Sequence, residues 1–130
     1  MSQKEIEVIL ARSMAEHLTV PIFIVDPAGN LLFYNAPAGD ILGVNFDETG
    51  PMPASKWATM FQPLDPDGSP LPPEALPLII ATNEHRAAHK SFCIRGMDGA
   101  MRMLEVTGFP LVGQAQRYVG AMAIFWEVPQ

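Results

Sequence analysis

The sequence predicts an α+β domain: a five-stranded antiparallel sheet with short helices on one face, preceded by an amphipathic N-terminal helix. Three observations lead there. Apolar residues recur at helical spacing near the N-terminus, and two hydrophobic runs then flank a Pro-Ala-Gly-Asn turn. The last third of the chain holds three strand-like runs joined by short turns. Between these parts, eight of the thirteen prolines fall from Pro51 to Pro77, so that stretch holds neither a central strand nor a long unbroken helix.

From Gln3 to Leu18, Ile6, Ile9, Leu10, Met14 and Leu18 are spaced by three and four residues, which predicts a helix with one apolar face. Pro21 ends it. PIFIVD and LLFYN read as a β-hairpin with Ala28, Gly29 and Asn30 at its tip, and Asp26 is expected to cap the turn. Short helices fit Ala36 to Leu42, stopped by Gly43, and Ala54 to Phe61. Asp67-Gly68 marks a tight turn. A helix from Pro73 to Asn83 follows, with Pro73 and Glu74 in its first turn. Ala88 to Arg95, Met101 to Leu111 and Arg117 to Val128 then form a three-stranded antiparallel meander.

The last of these strands is apolar on both sides. Val119, Ala121, Ala123 and Phe125 alternate with Met122, Ile124, Trp126 and Val128, whereas a strand with one wet face alternates apolar with polar. Something must cover its second side. The N-terminal helix or a partner chain is the expected cover.

Composition narrows the function classes. With 130 residues, 48% hydrophobic and 17% charged, the chain builds one ordinary domain and not two. Fourteen acidic residues against eight scattered basic ones make the net charge -6, which argues against nucleic acid as a partner. The longest apolar runs, such as Val119 to Trp126, fall far short of the roughly 20 residues that cross a bilayer. The polar start SQKEIE is no secretory signal, so the cytoplasm is the expected compartment. One cysteine, Cys93, excludes an intramolecular disulfide and a multi-cysteine zinc site.

The order of elements and several phrases together resemble a PAS domain. PIFIVDPAGNLLFYNAPAGDILG resembles the PAS opening, with Asp26, Gly29 and Asn35 in their places. DPDGSPLPPEALPLIIA resembles the central segment of many bacterial PAS domains. MRMLEVTGFPL and RYVGAMAIFWEV resemble the last two strands, with Pro110 and Gly120 in place. The likeness runs from about Glu16 to Val128 and divides the chain into a helix over 1–19 and a domain over 20–130.

The resemblance implies a sensory signalling module and no catalysis. It implies that Phe92, Ile94, Leu104, Val106, Ala123 and Phe125 point into a pocket between sheet and short helices, where a small apolar molecule or acyl chain would bind. It turns Met122, Ile124 and Trp126 outward, to meet the helix residues Ile6, Ile9, Leu10 and Met14 or a second subunit in a homodimer. Two alternatives stay open: an interaction module whose pocket is filled by its own side chains, and a haem or flavin protein. By the same resemblance His85 is the first haem candidate and His89 the second. Flavin is disfavoured, since Met52 to Gln62 holds no cysteine and few polar residues are expected to face inward. Where many PAS domains end in Asp-Ile-Thr, this chain has Glu127, Val128 and Pro129, so the message is expected to pass to a partner protein or to an output domain outside this chain.

Other constellations read as structural. His85 and His89 have the spacing of two metal ligands on a helix, but the glutamate of a zinc protease is missing and the expected helix ends before them. His17 sits where a helix end favours a cation. Asp65, Asp67 and Gly68 start like a calcium loop, yet Leu76 stands where its bidentate glutamate belongs. Cys93, between Phe92 and Ile94, is expected to behave as a small hydrophobe. Met97, Met101, Met103 and Met122 read as ordinary core filling or as the lining of an adaptable apolar pocket or interface, and Asp26 and Glu105 show no partner in the sequence.

Overall fold

The computed structural model describes residues 6–128, with side chains from Val8 onward. Ile6, expected on the apolar face of the first helix, lies outside the described side chains. The elements are α1 (Ile6–His17), β1 (Ile22–Val25), β2 (Leu31–Tyr34), α2 (Ala36–Leu42), α3 (Phe46–Thr49) and α4 (Ala54–Met60). After them come a 3₁₀ turn at Pro73–Ala75, α5 (Pro77–Glu84), β3 (Ala88–Arg95), β4 (Met101–Val112) and β5 (Tyr118–Glu127). The sheet is antiparallel throughout, in the order β2-β1-β5-β4-β3, so the last strand is central and receives the first.

Apolar side chains fill both faces. On one, α2, α4 and α5 cover a core that includes Phe23, Trp57, Phe61, Phe92, Leu104 and Phe125; on the other, α1 covers Ile22, Ile24, Phe33, Val119 and Met122. The two-sided apolarity of β5 is thereby accounted for. Val119 departs from the expected alternation and joins the α1 side. Opposite Leu111 and Val112 the register slips, pairing Gly120 and Tyr118 and leaving Val119 extra, and such a bulge turns one side chain to the other face. Gly120, at φ +150°, is required there because a Cβ would strike the Val25 carbonyl oxygen.

Two helices differ from expectation. The stretch from Pro73 to Asn83 is broken, because Leu76 precedes Pro77 and is held extended at φ -72°, ψ 135°, so the α-helix restarts at Pro77. The short α3 was not anticipated; its signal is the pair Asn45 and Glu48, whose carboxylate accepts from the Asn45 backbone N–H at 3.5 Å, as in a capping box. The hairpin tip is as expected. Asp26 Oδ1 accepts from the Ala28 and Asn30 backbone N–H groups, each at 2.9 Å.

Asn35 links the layers. It is 3% exposed, and its Oδ1 accepts from Ile22 N at 3.0 Å and Ala38 N at 3.2 Å. Its Nδ2 donates to Ala15 O at 3.0 Å and Val20 O at 2.8 Å. Thus one side chain caps α2, closes the end of α1 and fixes the entry to β1. Asn35→Ala leaves four backbone groups without their partner, and we expect a loss of about 2–4 kcal/mol in urea unfolding. Amide exchange should rise in α1 before it rises in the sheet.

Candidate functional site

Alternation along β3, β4 and β5 sends Phe92 and Ile94, Leu104 and Val106, and Ala123 and Phe125 to the side covered by the helices. These six side chains meet there around a cavity of about 80 Å³. The opposite wall comes from residues not singled out in the sequence: Phe23 on β1, Leu42 on α2, Trp57 and Ala58 on α4, Phe61 and Pro63 after it, and Leu76 to Leu78 at the start of α5. The resemblance to PAS domains assigned a direction to the strand residues alone. The helical wall depends on how the proline-rich segment folds back. At that wall α5 touches the bare backbone of β4, since a Cβ on Gly108 would lie 2.7 Å from the Pro77 carbonyl carbon.

The chemistry of the cavity is uniform. Every lining side chain is apolar apart from the Trp57 indole, and its N–H is already donated to Gly29 O at 2.8 Å. Water entering it would find no side-chain partners. The volume is about half that of an apolar cavity that takes benzene, roughly 150 Å³, and far below the roughly 300 Å³ at which drug-sized pockets begin. A porphyrin or an isoalloxazine ring exceeds the space as it stands, and the lining offers neither of them a free polar side chain.

The two haem candidates lie elsewhere. His85 ends α5 in the left-handed region at φ 54°, exposed, with its ring stacked on Tyr118 at 3.7 Å between centroids. His89 stands on the outer face of β3, because it alternates with the inward Ala88 and Lys90 positions. There its Nε2 lies 2.6 Å from Glu105 Oε2 and its Nδ1 2.7 Å from Thr107 Oγ1. As expected from the sequence, the two share no helix, since α5 stops at Glu84 and β3 begins at Ala88. Neither imidazole lines the cavity.

Around His89 the outer face forms a polar row within an apolar field. Ser91 Oγ donates to Glu105 Oε1 at 2.7 Å. That hydroxyl and then His89 hold the Glu105 carboxyl below the usual glutamate range, against a smaller desolvation effect. Trp126 stands opposite Glu105 in the register and is 45% exposed, while Cys93 directs its thiol to the Met103 sulfur at 3.9 Å. Glu105 thus has the partners that its sequence position did not reveal.

The helix–sheet contact uses a different face of α1 from the one expected. Val8, Ala11 and Ala15 are buried against the sheet, and Ile9, Leu10 and Met14 are 49%, 61% and 54% exposed. Small residues let the helix lie close to β4 and β5, and larger ones at those positions would hold it off. Of the expected sheet residues, Met122 is buried under α1, Ile124 is half-buried and Trp126 is open. Arg12 lays its guanidinium over Phe33, 4.5 Å from the ring centre. No helix among the described residues is long and apolar enough to cross a membrane.

Neither a family model nor a curated protein matches the chain. Solved structures do. A PAS domain from Colwellia psychrerythraea matches with a TM-score of 0.66 at 17% identity, over 93% of this chain and 97% of its own. The PAS domain of the fruit-fly ELK potassium channel matches at 0.70 and 8% identity, over 98% and 100%. A Rhodobacter sphaeroides LOV protein matches at 0.72 and 11% identity, over 97% and 70%. At these identities the likeness is one of fold.

Two measurements test the site's physics. Leu104→Ala and Phe125→Ala each remove packing of a buried side chain in the cavity wall, and each should cost about 2–5 kcal/mol in equilibrium unfolding. Because folding lowers the Glu105 pKa, its contribution to stability is complete above the ordinary value near 4.3 and fades as pH falls through the lower folded value. Glu105→Gln should therefore flatten the stability profile below about pH 4.3.

Proposed function

We propose, from the PAS fold that this chain has, that it is a sensory signalling module: its cavity takes a small apolar molecule, and its outer face passes the state of the cavity to a second copy and a partner protein. One observation carries this reading. Neighbouring residues of β5 serve the two sides, with Phe125 in the cavity wall and Ile124 and Trp126 on the outer face. Whatever displaces Phe125 moves the backbone that holds Trp126. The response is a population shift, limited by how much better the ligand binds one arrangement than the other.

The cavity's chemistry selects the ligand class. Nothing in its lining anchors a charge or a hydroxyl, so recognition rests on shape and apolar contact. A molecule larger than the cavity, an acyl chain included, enters only if Trp57 and Ala58 of α4 and Phe61 after it retreat. On the outside, Ile9, Leu10 and Met14 of α1 together with Trp126 supply the apolar surface for a second copy.

A second reading has its own support. The cavity is small because Trp57, Phe61, Phe92 and Phe125 occupy most of the space between sheet and helices. In that case the module is an interaction platform whose interior is filled by its own side chains. Native mass spectrometry beside the denatured mass separates the two: an added mass lost on denaturation is the expected result, and a dimer with no added mass favours the filled platform. Trp126→Glu should give a folded monomer in analytical ultracentrifugation. A dimer that persists in this variant removes the outer face from the proposal.

A further inference from the structure

Arg102 occupies a junction of three elements. Its position on β4 is opposite Ile94, on the cavity side of the sheet, and its side chain is 18% exposed. The guanidinium donates to the Ile41 carbonyl at the end of α2, 2.9 Å away. It also donates to both carboxylate oxygens of Asp98 in the β3–β4 turn, at 3.3 and 3.0 Å. Its Nε lies 3.7 Å from Glu127, the last residue of β5. A cation suits this place, because the last carbonyls of a helix carry partial negative charge and lack intrahelical partners.

The α2 end is also the cavity wall. Leu42 lines the cavity, and the preceding residue, Ile41, offers the carbonyl that Arg102 holds. The turn is fastened to the same point: Met97 N donates to Leu42 O at 2.8 Å, and Gly43, left-handed at φ +82°, lies so close to Asp98 N that a Cβ there would approach it to 2.6 Å. The forked pair with Asp98 keeps the guanidinium oriented within that turn. Glu127, with a side chain 52% exposed and a longer contact, is the partner that can be gained or lost.

We infer that Arg102 couples the α2 wall of the cavity to the C-terminal end of β5, so that a shift of Leu42 changes the Arg102–Glu127 contact. Arg102 touches no ligand in this scheme; it is a positioning residue that turns a displacement of α2 into a change at the edge where β5 ends. The inference rests on the reading above that the cavity is the sensing site, and adds the route by which its state leaves the domain. The route beside it is the sheet itself, since Val128 N donates to Met103 O at 2.9 Å.

Xenon, which enters dry apolar cavities, supplies a ligand of known chemistry. In ¹⁵N-labelled protein under xenon pressure, the Leu42 amide, the Arg102 Nε–H and the Val128 amide should all shift. In Arg102→Met the Leu42 shift should remain and the Val128 shift should vanish. In Glu127→Gln, which leaves the α2 and Asp98 contacts in place, Leu42 and Arg102 should still respond and Val128 should not. Leu42→Ala perturbs the same wall without gas and should reproduce the pattern if xenon does not enter. A Val128 shift that survives in both variants overturns the inference and assigns the route to the sheet. If neither Val128 nor the outer residues Ile124 and Trp126 respond in the unaltered protein while Leu42 does, the sensory reading itself falls.

Discussion

The buried Asn35 amide is the constraint on which the arrangement depends. Four backbone groups from the end of α1, the approach to β1 and the start of α2 converge on it, and each is satisfied by one side chain at 2.8 to 3.2 Å. Such a network is stable only when complete, because an unpaired polar group in a low-dielectric interior is costly. It therefore specifies one geometry for three elements. With α1 and β1 placed, Ile22 and Ile24 come under the helix and Phe23 comes into the cavity wall. The helix is thereby set against the sheet by hydrogen bonds at one end and by the small residues Ala11 and Ala15 along its length.

Much of this could be read from the residues. The strands were legible as β-rich runs between short turns, and the directions of Phe92, Leu104 and Phe125 came from the resemblance to PAS domains, since β5 is apolar on both sides. The hairpin was legible through Asp26 and Gly29, whose turn chemistry is local. What failed was long-range. The apolar spacing of α1 points to Ile9, Leu10 and Met14 as its inner face, but close approach to the sheet selected Val8, Ala11 and Ala15. A count of large apolar residues is blind to that preference. The reversal of Val119 needed the bulge, which depends on pairing between strands and leaves only Gly120 as a local trace.

For the site, the sheet half of the cavity was legible through the family resemblance and the helical half was not. Trp57 and Phe61 lie in a proline-punctuated segment where no periodicity survives, and their place is decided by contacts such as the Trp57 indole to Gly29 O. For the histidines the expected end of the helix was the better guide. A four-residue spacing has meaning only within one helix, and the left-handed His85 ends that helix, leaving His89 to a strand. The hydrogen-bonded row of His89, Ser91 and Glu105 arises from cross-strand register, which brings together residues that are far apart in sequence.

The central position of β5 bears on how the protein comes to be folded. Ile22 pairs with Ile124 and Val25 with Ala121, so the β1–β2 hairpin has no sheet to join until nearly the whole domain has been made. Pairings at that separation carry a large loop-closure entropy and belong to slowly folding topologies. During synthesis the apolar runs of β1 and β2 would emerge first and wait, while the helices and the β3–β4 hairpin form behind them. The nascent chain is therefore most vulnerable to misassociation in the interval before β5 leaves the ribosome.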